Sequence, residues 1–239
     1  MPHSFPENLV RLHLGEEQLR QKALHFLSND HRLQQHAMII ECVMDMLDLL
    51  RQNRTDDEDM KVVQILGMRV FNAFAVSVKL TLSGYSQNAA LVLRDILETF
   101  FLLDLFSSAP NKIEHWRMAD RKTRLKEFKP IKVRELLDSR DGFTELKRAA
   151  HYELFSELAG HASMQSIAML RPQGMEAQIG PFIDPTALEA VLSEAGRLAI
   201  CVGEVIDRFF PGDWVNAKPH REQFAILKRD WIATFYPQL

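Results

Sequence analysis

Arg94 and Glu98 stand four residues apart inside SGYSQNAALVLRDILETFFLLDLF, Ser83 to Phe106, the most apolar stretch of the chain. On a helix that spacing places a guanidinium and a carboxylate one turn apart, within reach of each other. Charges kept within an apolar helix are usually paired. Two readings stay open: a structural ion pair that holds two helices in register, or one wall of a polar pocket. A second cluster lies in YELFSELAGHAS, where Tyr152 and Ser156 share a face one turn apart and His161 follows Gly160. A histidine at a helix C-terminus caps free carbonyls and is favoured there as a cation. Facing Arg94 and Glu98 across a bundle, it would instead complete a base, an acid and a cation around one cavity.

Other chemistry finds less support. The sequence has no Gly-rich phosphate loop, no paired-histidine zinc helix and no nucleophile elbow. Glu98 and His161 are too few to make a metal site, so neither a metal nor another cofactor is expected. Between Asn111 and Glu135 the chain is rich in cations, among them Arg121, Lys122, Arg124, Lys126 and Lys129, interrupted by Asp120 and Glu127. Such a run is either a solvated face or a docking surface for RNA or an acidic partner through 112–134.

These residues need elements to position them. Ser83–Phe106 is too long for a strand and meets no proline before Pro110, so it reads as a helix. Ser83 and Ser86 are its candidate N-caps. Gln87, Asn88, Arg94, Asp95, Glu98 and Thr99 share one arc, while Phe100–Phe106 is apolar nearly all round except Asp104. A helix with no wet face in its second half is buried between neighbours, and its polar first half argues against a membrane span.

Helices are expected at about 7–27, broken by Gly15, at 31–51, at 58–82 and at 143–158, with a further one from Asn111 that Pro130 ends. Two more are expected near 185–210 and 219–235, with Asp184 as an N-cap and Pro185 at the first position of the former. The short Leu82-Ser83-Gly84 turn forces its two long helices to run antiparallel. From Met164 to Phe182 the helical period fails around Arg171-Pro172-Gln173-Gly174, which predicts a small β-hairpin near 165–182. The expectation is an all-α, multi-helix bundle forming one domain over 1–239, with the hairpin as an insertion at 164–182.

With 239 residues, 46% hydrophobic and 26% charged, the chain can bury a sizeable core. Its net charge of −3 excludes a protein that coats nucleic acid over its whole surface. Cys42 and Cys201 form no spaced motif and read as core residues in a reducing compartment. The N-terminus has no basic start followed by an apolar core, so a cytoplasmic location is expected.

The segments GYSQNAALVLRDILE and YELFSELAGHAS together resemble a bacterial family of helical proteins of unknown function. In that family a G-(F/Y)-x(3)-A-x(3)-L-R-x(3)-E helix precedes a Y-x(3)-S-x(4)-H segment. The resemblance covers about Leu80 to Ser163 and carries over to Gly84, Tyr85, Arg94, Glu98, Tyr152, Ser156 and His161. It implies a polar pocket built from Tyr85, Arg94, Glu98, Tyr152, Ser156 and His161. The family is distantly similar to HEPN-type bundles, some of which are toxins or phage-defence ribonucleases. Their signature, Arg then four to six residues then His, occurs here at Arg20…His25, a spacing that chance also produces. Two functions follow as expectations: a non-catalytic module that binds a partner or forms a homodimer, and, as the alternative, a metal-independent ribonuclease of HEPN type.

Overall fold

The computed structural model describes residues 5–145, 147–160, 164–172 and 176–238. Local chemistry sets where its helices begin. α1 spans Glu7–Asn29 and α2 spans His31–Gln52. Between them Asp30 accepts from the backbone N–H of Arg32 at 2.7 Å and of Leu33 at 3.2 Å, which satisfies donors the helix cannot. Asp57 does the same for α3, Glu58–Leu82, through the Asp59 N–H at 2.9 Å. α1 is unbroken at Gly15, where the sequence suggested an interruption. Glycine in a helix costs only about 1 kcal/mol, which the rest of a long helix absorbs.

α4 runs Ser86–Ser108, three residues later at its start than the apolar stretch implied. Neither Ser83 nor Ser86 caps it. Tyr85 holds the cap position without a side-chain bond, and Ser83 closes α3 instead. The turn between α3 and α4 depends on Gly84, whose φ is +86°. A Cβ there would come within 2.7 Å of the Phe182 backbone, which donates to the Gly84 carbonyl at 3.1 Å. Both the left-handed conformation and the close approach require glycine. Ser77 lies opposite Ala89 and Arg69 opposite Asp95, so α3 and α4 are antiparallel as expected.

After Pro110 the cationic stretch forms two short helices, α5 at Asn111–Met118 and α6 at Arg121–Glu127. Pro130 does not end a helix but opens α7, Pro130–Asp141, from its first position, where the missing N–H costs nothing. α8 covers Lys147–Phe155 and widens into a π turn at Ser156–Gly160. α10, Pro185–Phe209, starts at the Asp184 cap, and α11 covers Ala217–Phe235.

The β-hairpin expected near 165–182 is not there. Met164–Ala168 is a short helix, α9, and no strand occurs among the described residues. Among the described residues one backbone bond, Gln178 N–H to the Leu170 carbonyl at 3.1 Å, joins the two arms. A lone two-stranded ribbon is marginal without a third strand or an apolar face to bury, and Ile179 is fully exposed. Of the turn expected at Arg171-Pro172-Gln173-Gly174, Gln173 and Gly174 lie outside the described residues.

α2, α3, α4 and α10 surround a common core of Val43, Met46, Phe74, Leu93, Leu97 and Ile206, with α11 lying on α2. α4 is the element most of the others touch: α3, α10, α5, α7, α8 and the π turn. The all-α bundle around a central helix is therefore as the sequence predicts.

Where α2, α10 and α11 meet, His36 is fully buried. The Trp231 indole donates to its Nδ1 at 2.9 Å, the Phe235 ring stacks on it at 4.2 Å, and Gly196 leaves room for the approach. Its Nε2 has no partner. Burial, helped by the nearby Arg32 charge, lowers the His36 pKa from 6.5 to about 4. A lowered folded-state pKa means the contribution is complete above pH 6.5 and is lost as the pH falls towards 4. We expect the urea-unfolding free energy to fall by about 2 kcal/mol between pH 7 and pH 5 through this group. A His36→Phe variant should lose that part of the slope. Identical pH profiles for the two proteins would show that His36 is not its source.

Candidate functional site

Arg94 sits on the third turn of α4, and its Nε donates to Glu98 Oε1 at 3.2 Å. The pair is neither exposed nor sealed: the side chains are 24% and 30% accessible. Of the second expected cluster, Tyr152 alone is seen to join the pair. α8 brings Tyr152 against α4, so that Arg94 donates to the Tyr152 hydroxyl while its guanidinium lies 4.6 Å from the ring centre. Arg134 of α7 approaches the same ring at 4.1 Å. Three helices thus converge on one phenol through cation–π contacts.

Tyr85 and Ser156 are committed to other partners. Tyr85 lies nine positions before Arg94 on α4, about 13 Å along the axis. Its hydroxyl donates to Glu16 Oε1 of α1 at 2.7 Å. Burial and that hydrogen bond push the Tyr85 phenol up to about 12, while the bond, with help from His13, lowers Glu16. Tyr85 therefore anchors α1 and is no part of the Arg94 cluster. Ser156 is buried and donates to the Tyr152 carbonyl at 2.9 Å, which stabilises the π turn and commits the hydroxyl. His161 lies outside the described residues.

Arg134 was concealed in the sequence by its company. It belongs to the cationic stretch, yet it shares the buried face of α7 with Val133, Leu137 and Asp138. The spacing of Val133, Arg134 and Leu137 carries that signal, because one face must turn inward. The other cations of the stretch behave as a surface. Arg121, Lys122, Arg124, Lys126 and Lys129 are exposed, α6 buries no residue, and none of the five forms an ion pair among the described residues.

Two further polar groups were not foreseen. His151 Nε2 lies 3.2 Å from Glu194 Oε2 and 2.7 Å from Arg197 Nη2, joining α8 to α10. Burial would raise the Glu194 carboxyl, but its bond to His151 and the Arg197 charge outweigh burial and lower it. Asp104, noticed only as the odd polar residue of an apolar helix end, is buried and gripped by Arg140 at 2.9 and 3.0 Å and by Arg208 at 3.3 Å. The two cysteines are free, and burial pushes both thiols up to about 11. Among the described residues no group of three histidine, cysteine, aspartate or glutamate side chains is arranged to hold a metal.

No family model matches the chain, and no curated protein or solved structure matches it.

Arg94→Ala leaves Glu98 half-buried without its cation and Tyr152 without its donor. We expect a loss of about 1–2 kcal/mol in urea unfolding. A midpoint equal to that of the wild type would show the pair contributes nothing.

Proposed function

We propose that the chain is a non-catalytic, cytoplasmic helical binding module that works as a two-fold dimer through the outer face of α3 and α4. The observation that carries this reading is an unpartnered apolar stripe. Ile65, Met68, Arg69, Asn72 and Val76 follow one another at helical spacing along α3, beside Leu91, Val92 and Asp95 of α4. Ile65 is 60% exposed, Val76 46% and Leu91 43%. α3 is apolar and long enough to cross a membrane by composition, yet it packs against α2, α4 and α10.

A second copy is the occupant that fits. A two-fold surface must be complementary to itself. Here Arg69 and Asp95 lie side by side in the middle of the stripe, so a rotated copy can set cation against carboxylate in both directions. The same charged pair disfavours a hydrocarbon environment. Ser156 is tied to the Tyr152 carbonyl and His151 to Glu194 and Arg197, so neither the hydroxyl nor the imidazole stands ready as a nucleophile or base, which supports binding rather than turnover. Sedimentation at micromolar concentration should give a dimer for the wild type and a monomer of unchanged helicity for Ile65→Asp/Leu91→Asp. A monomeric wild type, or a dimer that survives both substitutions, would overturn the reading.

The exposed, unpaired cations of α6 favour a second partner, RNA or an acidic protein. The defence-related, HEPN-type ribonuclease alternative rests on the motif resemblance. In its Arg20…His25 pair, Arg20 is held by Glu17 at 2.7 and 2.8 Å and His25 contacts Asn29. We expect weak binding to single-stranded RNA, with a log–log salt slope of about −3.5 if all five cations meet phosphates. No cleavage is expected on a gel. Cleavage by the wild type that disappears in His25→Ala or His161→Ala would replace the non-catalytic reading with the ribonuclease.

A further inference from the structure

We propose that Arg94, Tyr152 and Arg134 form a binding site for a phosphate group. Arg134 is only 9% exposed, and its Nη1 is buried with no hydrogen-bond partner among the described residues. A buried guanidinium nitrogen without an acceptor is costly, and stacking on an aromatic ring offsets only part of that cost. Arg94 lies against the same ring, so two like charges are held no farther apart than the sum of 4.6 and 4.1 Å. One carboxylate, Glu98, answers Arg94, and both side chains are partly accessible to solvent.

Two arginines around one tyrosine are suited to an oxyanion, because each guanidinium presents parallel donors that match its geometry. A phosphate group carries nearly two negative charges near neutral pH, which fits two cations better than a single carboxylate does. The route in is the rim formed by Arg94 and Glu98. The phosphate displaces the Glu98 carboxylate from Arg94, and Arg134 supplies its unused donor from the inner side. Glu98 is therefore an internal competitor that weakens the site when it is in place. This proposal is independent of self-association, since none of Arg94, Tyr152 and Arg134 belongs to the apolar stripe of α3 and α4.

The test is calorimetric titration of the full chain with inorganic phosphate in one arm and adenosine monophosphate in the other. Binding should weaken at least about tenfold in Arg94→Met and Arg134→Met, the loss of one charge-assisted contact. Glu98→Gln should bind more tightly than the wild type. Equal affinity in the two arms identifies phosphate itself as the ligand, and tighter binding of the nucleotide identifies a larger phosphate monoester. No heat from either ligand with the wild type and Glu98→Gln overturns the proposal. So does an affinity unchanged by Arg134→Met. Should that variant lose its helical circular dichroism, Arg94→Met and Glu98→Gln decide, and affinities equal to the wild type in both sink the site.

Discussion

A carboxylate buried at the apolar end of a central helix must be answered by cations from elsewhere, and Asp104 imposes that requirement on this fold. Leaving such a charge unpaired costs several kcal/mol, so α7 and α10 are obliged to deliver Arg140 and Arg208 to one point on α4. The constraint then spreads. Arg140 also grips Asp141 at 2.7 Å, and Arg148 reaches both Asp141 and Asp138. Those ties hold α8 close behind α7. Bond by bond, the polar minority inside the bundle fixes which helices are neighbours, while the aliphatic majority only requires that they pack.

The Arg94 cluster stands nearly three turns earlier on α4, with a difference in completeness. Around Asp104 three carboxylates, Asp104, Asp138 and Asp141, meet three guanidinium groups, Arg140, Arg148 and Arg208, and Arg140 binds Asp104 through two donors. At Tyr152 two guanidinium groups share one ring, and a partly exposed carboxylate meets only Arg94 of the two. The first site behaves as a fastening. The second keeps a cation in reserve, and for that reason the two are assigned different roles.

Most of the fold was legible from short-range chemistry. The caps at Asp30 and Asp184, the stripe of α2, and the antiparallel pair joined at Gly84 all follow from period and turn residues acting locally. The Arg94–Glu98 contact was legible for the same reason, being one turn within one helix. Tyr152 joined them as the motif implied, whereas Tyr85 went to Glu16, a residue 69 positions away that no local pattern marks. Arg134, His151 and Asp104 owe their places to helices packing from three sides, which a one-dimensional period does not encode. The hairpin near 165–182 failed because turn chemistry at Pro172 was read without asking what a ribbon there could bury.

The three tryptophans are distributed so that each sits at a different joint. Trp116 of α5 meets the Phe106 ring of α4 edge-on at 5.9 Å, Trp214 meets Phe210 at the end of α10, and Trp231 of α11 meets His36 of α2. Aromatic pairs of this kind hold fixed geometry only while both partners stay packed. The intrinsic emission of the chain is consequently a composite of three separate seams. Replacing two of the indoles at a time by phenylalanine would turn this protein into a set of optical gauges, each reporting the loosening of one helix.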